Sequence, residues 1–565
     1  MRIRQLSALL IYSAPTGRDV SPWMLHFPIG LGYIQAMLKS SGIACHLANL
    51  SGMGAQKAAE YIKKKNPRII GLSLFTYNRK RCFELAKIAR AACPRAIILA
   101  GGPHATHLPS ETFKSCKELD AIVCGEGEAA MLEIAKQIEK GKDWKKSPSL
   151  IFRDCTKTPM AAPIENLDSI GIPVEHFETD FLGDPQQLSY LSTSRGCPSD
   201  CSFCNTPEFW GKQIRFRSPE SVMCEIQTLW QEYGLTYFNF RDDTFTANAH
   251  RVFDICKAIK DSSINPLWSC QSRANMIDEE RLVAMIRAGC EFIQFGVEHG
   301  SEKMLKALDK GINLEQANNA ISLARKVGMI VGIYLITGIP NETMEDVAQS
   351  EALIEKLLPH NVQLAPLAVY PGTRLYRELM DSGAIPKNFY SKAKDAEVFA
   401  RRVEEGIMEE MYSDFGGHRR LIGYKYANEV STGAGWSYVD EHTAKALARL
   451  QKAAETVKPK ARYTPEDFKR QKKLLGWCAT TNMLCGEAAE DVNDFLEARV
   501  QYSEIIQKEP QNPWGWMKRS FLAIKTGDLA SALQDVQEAL KIVPKSPEAL
   551  DAYKHLIHTM KSRKK

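Results

Sequence analysis

Short apolar runs alternate with amphipathic stretches in a regular order over the first 140 positions. Residues 6–12, 44–50, 69–74, 96–100 and 120–124 have the pattern of strands, and residues 31–40, 55–65 and 82–92 between them carry the helical period. This predicts a parallel sheet with helices on both faces, a Rossmann-like domain over residues 1–140. Such sheets bind ligands outside the carboxyl ends of their strands. Small residues gather at those ends: Gly71-Leu-Ser73-Leu-Phe-Thr76 closes the third run, Gly101-Gly102-Pro-His104 follows the fourth, and Gly125-Glu126-Gly-Glu128 follows the fifth and opens a helix. Glycine at such turns lets the backbone approach a ligand and present amide donors.

A second alternating stretch covers residues 188–385. Strand-like segments at 188–196, 237–240, 267–271, 292–297, 330–337 and 362–367, with helical patterns such as 221–233, 279–288 and 314–327, make six βα units. Polar residues recur at the carboxyl ends: Arg241-Asp242-Asp243, then Arg273, then Glu298-His299, then Thr337-Gly338-Ile-Pro-Asn-Glu342. Each alone is an ordinary turn or helix cap, but carboxylates and arginine at one mouth can grip a zwitterion and ribose hydroxyls. Residues 141–187, lysine-rich and then broken by prolines, predict a linker over the surface. Residues 386–491 read as a helical region of unknown role, with glycine-rich loops at 416–420 and 431–435.

Length divides the 565 residues into three or four domains. A net charge of +6 is a weak bias, and the basic run at 561–565 reads as a solvated tail, so no nucleic-acid partner is expected. No apolar stretch reaches membrane-spanning length; the nearest, 329–339, is broken by glycines. The basic and then apolar start lacks the core and cleavage site of a signal peptide and reads as a first strand. Fifteen cysteines without a paired framework indicate a reducing, cytoplasmic setting.

Three of those cysteines carry the chemistry. Cys197-Pro-Ser-Asp-Cys201-Ser-Phe203-Cys204 can offer three thiolates from one tight loop to an iron-sulfur cube, which normally takes four, so one iron stays open. Zinc also takes thiolates, but no further Cys or His follows at finger spacing. The C-x3-C-x2-C spacing with Phe203 before the last cysteine resembles the radical S-adenosylmethionine superfamily. The resemblance implies a partial barrel of six parallel strands. Its 4Fe-4S cluster would be held by Cys197, Cys201 and Cys204, and its open iron would chelate S-adenosylmethionine and split it to a 5′-deoxyadenosyl radical. Phe203 would lie near the adenine. Asp242 and Asp243 match the family's paired aspartates after the second strand, Glu298 its Gly-x-Glu, Gly338-Ile-Pro340 its Gly-x-Pro, and Tyr370-Pro-Gly-Thr373 the close of the core; with Arg273 these are the candidate cofactor-binding residues.

Upstream, Pro28-Ile-Gly-Leu-Gly-Tyr33, Gly101-Gly-Pro-His104 and Gly125-Glu-Gly-Glu128 resemble the cobalamin-binding domain that precedes the radical core in one class of these enzymes. That implies cobalamin contacts from Ser73, Gly101, Gly102, His104, Gly125 and Glu126. The Asp-x-His-x-x-Gly motif of a lower-axial histidine is absent, since the only Asp-x-His is Asp440-Glu-His442 and lacks the glycine. From residue 492 a 34-residue period, with Ala498, Tyr502, Ile506 and Pro510 recurring as Ala532, Val536, Leu540 and Pro544, resembles tetratricopeptide repeats. Those could dock a protein partner or cap the enzyme. The expected activity is a cobalamin-dependent radical methyltransferase acting at an unactivated carbon of a small molecule or peptide, fed by an external electron donor such as flavodoxin or ferredoxin. A cyclase or rearrangement enzyme shares both cofactors, and a repeat scaffold with a structural cluster is the reading from a different class.

Overall fold

The computed structural model describes residues 6–14, 28–173, 188–385, 390, 429–430 and 441–563. The glycine-rich segments at 416–420 and 431–435 lie outside them. The first sheet contains β1 (Ser7–Tyr12), β2 (Ala44–Asn49), β3 (Ile69–Ser73), β4 (Ile97–Gly101), β5 (Ala121–Val123) and β6 (Leu150–Ile151) in the order β2-β1-β3-β4-β5-β6. The first five are parallel and β6 is antiparallel to β5. Both faces are covered: Ala8, Leu10 and Tyr12 of β1 join one apolar cluster, Leu9 and Ile11 the other. Near-continuous apolar runs, rather than alternating ones, follow from that two-sided burial.

The segment expected to be a surface linker takes part in the fold. It supplies β6, and its Leu167 and Ile170 are buried against Tyr33. A polar, lysine-rich stretch carries no strand period, but two residues suffice for an edge strand.

The second sheet has six parallel strands in chain order: β7 (Tyr190–Leu191), β10 (Tyr237–Phe240), β11 (Leu267–Ser272), β12 (Cys290–Glu298), β13 (Ile330–Thr337) and β14 (Asn361–Pro366). Between β7 and β10, β8 (Ser194–Arg195) and β9 (Arg215–Phe216) form an antiparallel ribbon that brackets the three-cysteine loop. A seventh strand, β15 (Glu429–Val430), pairs with β14 and comes from the region expected to be wholly helical.

Helices Pro465–Leu475, Ala479–Asp491, Phe495–Lys508, Pro513–Thr526, Leu529–Ile542 and Pro547–Arg563 follow. Phe495–Lys508 and Leu529–Ile542 begin 34 residues apart, the period read in the sequence. This array packs on the barrel: Phe468, Met483, Trp514, Met517 and Val536 share one apolar cluster with Tyr237, Leu267, Phe292 and Ile330, residues at the amino ends of β10 to β13. Trp514 is fully buried. Gly234 marks the seam. It caps helix Pro219–Tyr233 at φ 70°, and a Cβ there would lie 2.2 Å from the Lys545 carbonyl. Gly234→Ala therefore meets a left-handed penalty of about 1–2 kcal/mol and a backbone collision as well. A melting temperature lowered by several degrees, with protease release of residues 492–563, is the expected result; an unchanged melt would mean that the array is not seated there.

Candidate functional site

A cavity of about 970 Å³ opens where the carboxyl ends of the two sheets face each other. From the first domain it is lined by Leu10, Ser73, Gly101, Gly102, Gly125, Glu126 and Met131, and from the barrel by Phe203, Asn239, Gln271, Glu298, Tyr334 and Gln363, among others. Of the residues singled out from the sequence, Ser73, Gly101, Gly102, Gly125, Glu126, Phe203 and Glu298 thus share one space. Gly102 needs its φ of 101°, because a Cβ would stand 2.8 Å from the Leu74 carbonyl oxygen. A Cβ on Gly127 would strike Ile34 at 2.7 Å. Beside these loops the cavity has an apolar wall of Leu10, Leu72, Leu99 and Met131.

His104 is not in that wall. It is buried behind it, with Nδ1 against Thr76 Oγ1 at 3.1 Å and its ring edge-on to Tyr390. Burial, with Arg79 close by, drops its pKa to about 3, so it stays neutral. His104, expected to touch a cofactor, does not line the cavity, and no histidine is among the described residues that do.

Cys197 and Cys201 are buried and Cys204 is half-buried beside the cavity. Among the described residues no three His, Cys, Asp or Glu side chains converge on a single metal ion. Burial pushes the Cys204 thiol up to about 11, so loading a metal must displace its proton. The loop is pinned on several sides. Arg273 is buried, gives Nη1–H to Cys201 Sγ at 3.4 Å and also donates to the Lys310 carbonyl; it serves the cluster loop and does not line the cavity expected of it. Lys310 Nζ pairs with Glu298 Oε1 at 2.6 Å, and Glu298 holds its place at φ 72°.

The two neighbouring aspartates divide sharply. Asp242, 1% exposed, accepts hydrogen bonds from Thr193 N (2.6 Å), Ser194 N (3.0 Å) and the Thr193 hydroxyl. These bonds tie it to the strand leading into the cluster loop. Asp243 points the other way, takes a hydrogen bond from Thr206 Oγ1 at 2.9 Å and remains accessible. Crowding by protein atoms, with the Asp242 carboxylate behind it, lifts its pKa to about 6. Gly338, at φ 79°, also stands outside the lining; its amide goes to Glu342 Oε2 (2.9 Å), which Thr337 and His442 share.

The residue that sequence reasoning missed is Arg195. Its guanidinium meets Glu126 at 3.0 Å and Glu128 at 2.5 Å, and lies over the rings of Tyr33 and Trp210 at 5.0 and 4.9 Å. Arg215 pairs with the other oxygen of Glu126, while Tyr33 donates to the Ser192 carbonyl at 2.9 Å. The Gly125–Glu128 loop is therefore a domain clamp as well as a lining. Its only sequence signal is an arginine directly before Gly196-Cys197.

Two facing parallel sheets, one with a glycine-pared cofactor seat and the other with a three-cysteine loop, define an enzyme with two cofactors that meet in one cavity. Residues 23–135 match the B12 binding domain and residues 191–354 the radical SAM superfamily. An uncharacterized methyltransferase of Pyrococcus horikoshii is 33% identical over 62% of this chain and 77% of its own length. The chain belongs to the cobalamin-binding radical S-adenosylmethionine enzymes, with a 4Fe-4S cluster, S-adenosylmethionine and cobalamin as cofactors. Also similar are the cytidylyl-2-hydroxyethylphosphonate methyltransferase of Streptomyces wedmorensis (27%; 64% of this chain, 79% of the relative) and the anaerobic magnesium-protoporphyrin IX monomethyl ester cyclase of Rubrivivax gelatinosus (26%; 63% and 66%). The fold is shared with the radical S-adenosylmethionine methyltransferase TsrM from Kitasatospora setae, at TM-score 0.59, 19% identity and coverage of 67% of this chain and 79% of that one.

Hydrogen bonds to cluster sulfurs stabilise the reduced cube and raise its potential. Arg273→Met, which leaves Cys201 Sγ without its N–H donor, is expected to lower the midpoint by about 60 mV, the one-electron equivalent of losing about 1.4 kcal/mol. An electron paramagnetic resonance titration reads this directly, and an unchanged midpoint would show that the contact is only structural.

Proposed function

We propose that this enzyme transfers a methyl group from S-adenosylmethionine, by way of cobalamin, to an unactivated carbon of a small-molecule or peptide substrate. The observation that carries the reading is the single cavity onto which both cofactor seats open. When bound, the cluster supplies the electron that cleaves S-adenosylmethionine, and cobalamin supplies the carrier for methyl. Cys197, Cys201 and Cys204 would hold the cluster, Phe203 would offer a flat face to the adenine, and Asp243 and Glu298 would accept from polar groups of S-adenosylmethionine. Ser73, Gly101, Gly102 and Gly125 would bring backbone against cobalamin, and the apolar wall would keep water from it. The chain's main contribution is positioning two reactants and excluding solvent.

Relatives named as methyltransferases outweigh the cyclase in this reading, although the cyclase's similarity keeps radical chemistry without methyl transfer as the second one. All fifteen cysteines are free, which suits a reducing, cytoplasmic setting, and no helix among the described residues is long and apolar enough to cross a membrane. The electron would come from a flavodoxin or ferredoxin. The tetratricopeptide-like array, closing the far end of the barrel, serves as a packed cap whose outer face is left for a protein partner.

Anaerobic protein loaded with all three cofactors and reductant should form both 5′-deoxyadenosine and S-adenosylhomocysteine. Cys201→Ala should lose at least 100-fold of the first product while still binding cobalamin in its visible spectrum. Deoxyadenosine without S-adenosylhomocysteine would instead establish the cyclase or rearrangement chemistry.

A further inference from the structure

The cluster loop rests on residues 308–311, which follow helix Glu302–Ala307. Ser202 N donates to the Leu308 carbonyl at 3.0 Å, and Arg374 spans Asp309 at 2.8 Å and the Asp200 carbonyl at 2.9 Å. The Lys310 carbonyl accepts from Arg273 and lies 3.7 Å from Cys201 Sγ. Lys310 thus serves the loop through its backbone, and its side chain goes elsewhere. Its Nζ meets Glu298 Oε1 at 2.6 Å, with both residues buried.

The sequence makes room for that pair. Gly296 opens the run Gly-Val-Glu298, and a Cβ on it would stand 2.5 Å from Glu298 Oε1 and 2.8 Å from Lys310 Nζ. The register of β12 against β13 slips between Gly296 and Glu298. Glu298 sits at φ 72°, a left-handed conformation that a residue other than glycine keeps only where its surroundings hold it. Lys310 holds it by one oxygen. The other oxygen is open: among the described residues no donor reaches Oε2, yet it is not one of the enclosed polar atoms, and Glu298 lines the cavity with 9% of its side chain accessible.

We propose that Lys310 is a positioning residue for S-adenosylmethionine: it holds one carboxylate oxygen of Glu298 so that the other faces the cavity, and through the Arg273 contact of its own carbonyl it sets that acceptor at a fixed spacing from Cys201. The inference rests on Glu298 accepting from S-adenosylmethionine. A carboxylate in a buried wall is costly without a cation, and one that swings loses the orientation on which a bound ligand's geometry depends. The lysine meets both needs from behind the wall, since it is not among the described residues that line the cavity.

Equilibrium dialysis of S-adenosylmethionine against anaerobic protein carrying cobalamin and the oxidised cluster, in which no cleavage occurs, tests it. Glu298→Gln and Lys310→Met should each raise the dissociation constant about tenfold or more, the loss that follows from one charge-assisted hydrogen bond. The double variant Glu298→Gln/Lys310→Met leaves no bare carboxylate and is expected to fold even where Lys310→Met alone does not. Its constant should lie within about twofold of that of Glu298→Gln, because Lys310 acts only through Glu298. Iron content and the ligand-free cluster midpoint should stay unchanged in Lys310→Met, because the carbonyl that takes Arg273 is backbone. Lost iron or a shifted midpoint with S-adenosylmethionine affinity retained would make Lys310 a support of the loop and overturn the proposal, as would losses that multiply in the double variant. An unchanged constant in Glu298→Gln would overturn the assignment of Glu298 to S-adenosylmethionine, and this inference with it. Absence of S-adenosylhomocysteine in the wild-type assay would overturn methyl transfer alone and leave the role of Lys310 standing.

Discussion

The clamp made by Arg195 is the contact on which the site depends. It sits on β8, one residue before Gly196-Cys197, and its guanidinium is held by two carboxylates from one loop of the other domain and by two aromatic rings. A buried ion is costly when unpaired and can be lost only by leaving its partners unpaired as well, so the clamp has few intermediate states. Gly196 makes it stiffer: at φ 98°, with the Gln213 carbonyl oxygen 2.5 Å from where a Cβ would be, the chain turns in contact with backbone. The cluster loop and the Gly125–Glu128 loop that lines the cavity are thus registered to each other through one side chain. Two cofactors that must meet need that registration more than either domain needs it for folding.

Adjacent residues at a strand end face opposite ways, and the aspartates show what this does to chemistry. Asp242 turns inward to backbone amides and stabilises the approach to the cluster loop; Asp243 turns to the open side, where crowding raises its pKa. The paired motif therefore joins a structural acid to one available for a ligand. Arg273 follows the same division, since it reaches the cysteine loop and donates to Cys201 Sγ.

Much of this arrangement is legible in the amino-acid sequence itself. β10 and β13 fall on residues 237–240 and 330–337 as the apolar runs indicate, because a strand buried on both faces leaves a continuous signature. The three cysteines and the glycine-rich strand ends are equally readable, since each is set by local chain geometry. Partnerships are not. Nothing near Arg195 in sequence announces Glu126 and Glu128, and nothing near His104 tells that Thr76 and Tyr390 enclose it. β6 and β15 escape notice because two-residue strands carry no period and exist only through the neighbour they pair with.

The helices beyond the barrel act at its two ends in different ways. The repeat-like array covers the amino ends of the strands, away from the cavity, and completes the core beneath Phe292 and Ile330. Helix Glu441–Ala461 instead reaches the active edge, where His442 joins His299, Thr337 and the Gly338 amide around the buried Glu342 carboxylate. His299, Thr337 and the Gly338 amide together hold the Glu342 pKa down against the burial that would raise it. A carboxylate held by so many donors locks the turn after β13, and Thr443 packs against Gly338 where a Cβ would otherwise stand. The mouth of the barrel is therefore braced from outside by a segment that no motif in the core could have disclosed.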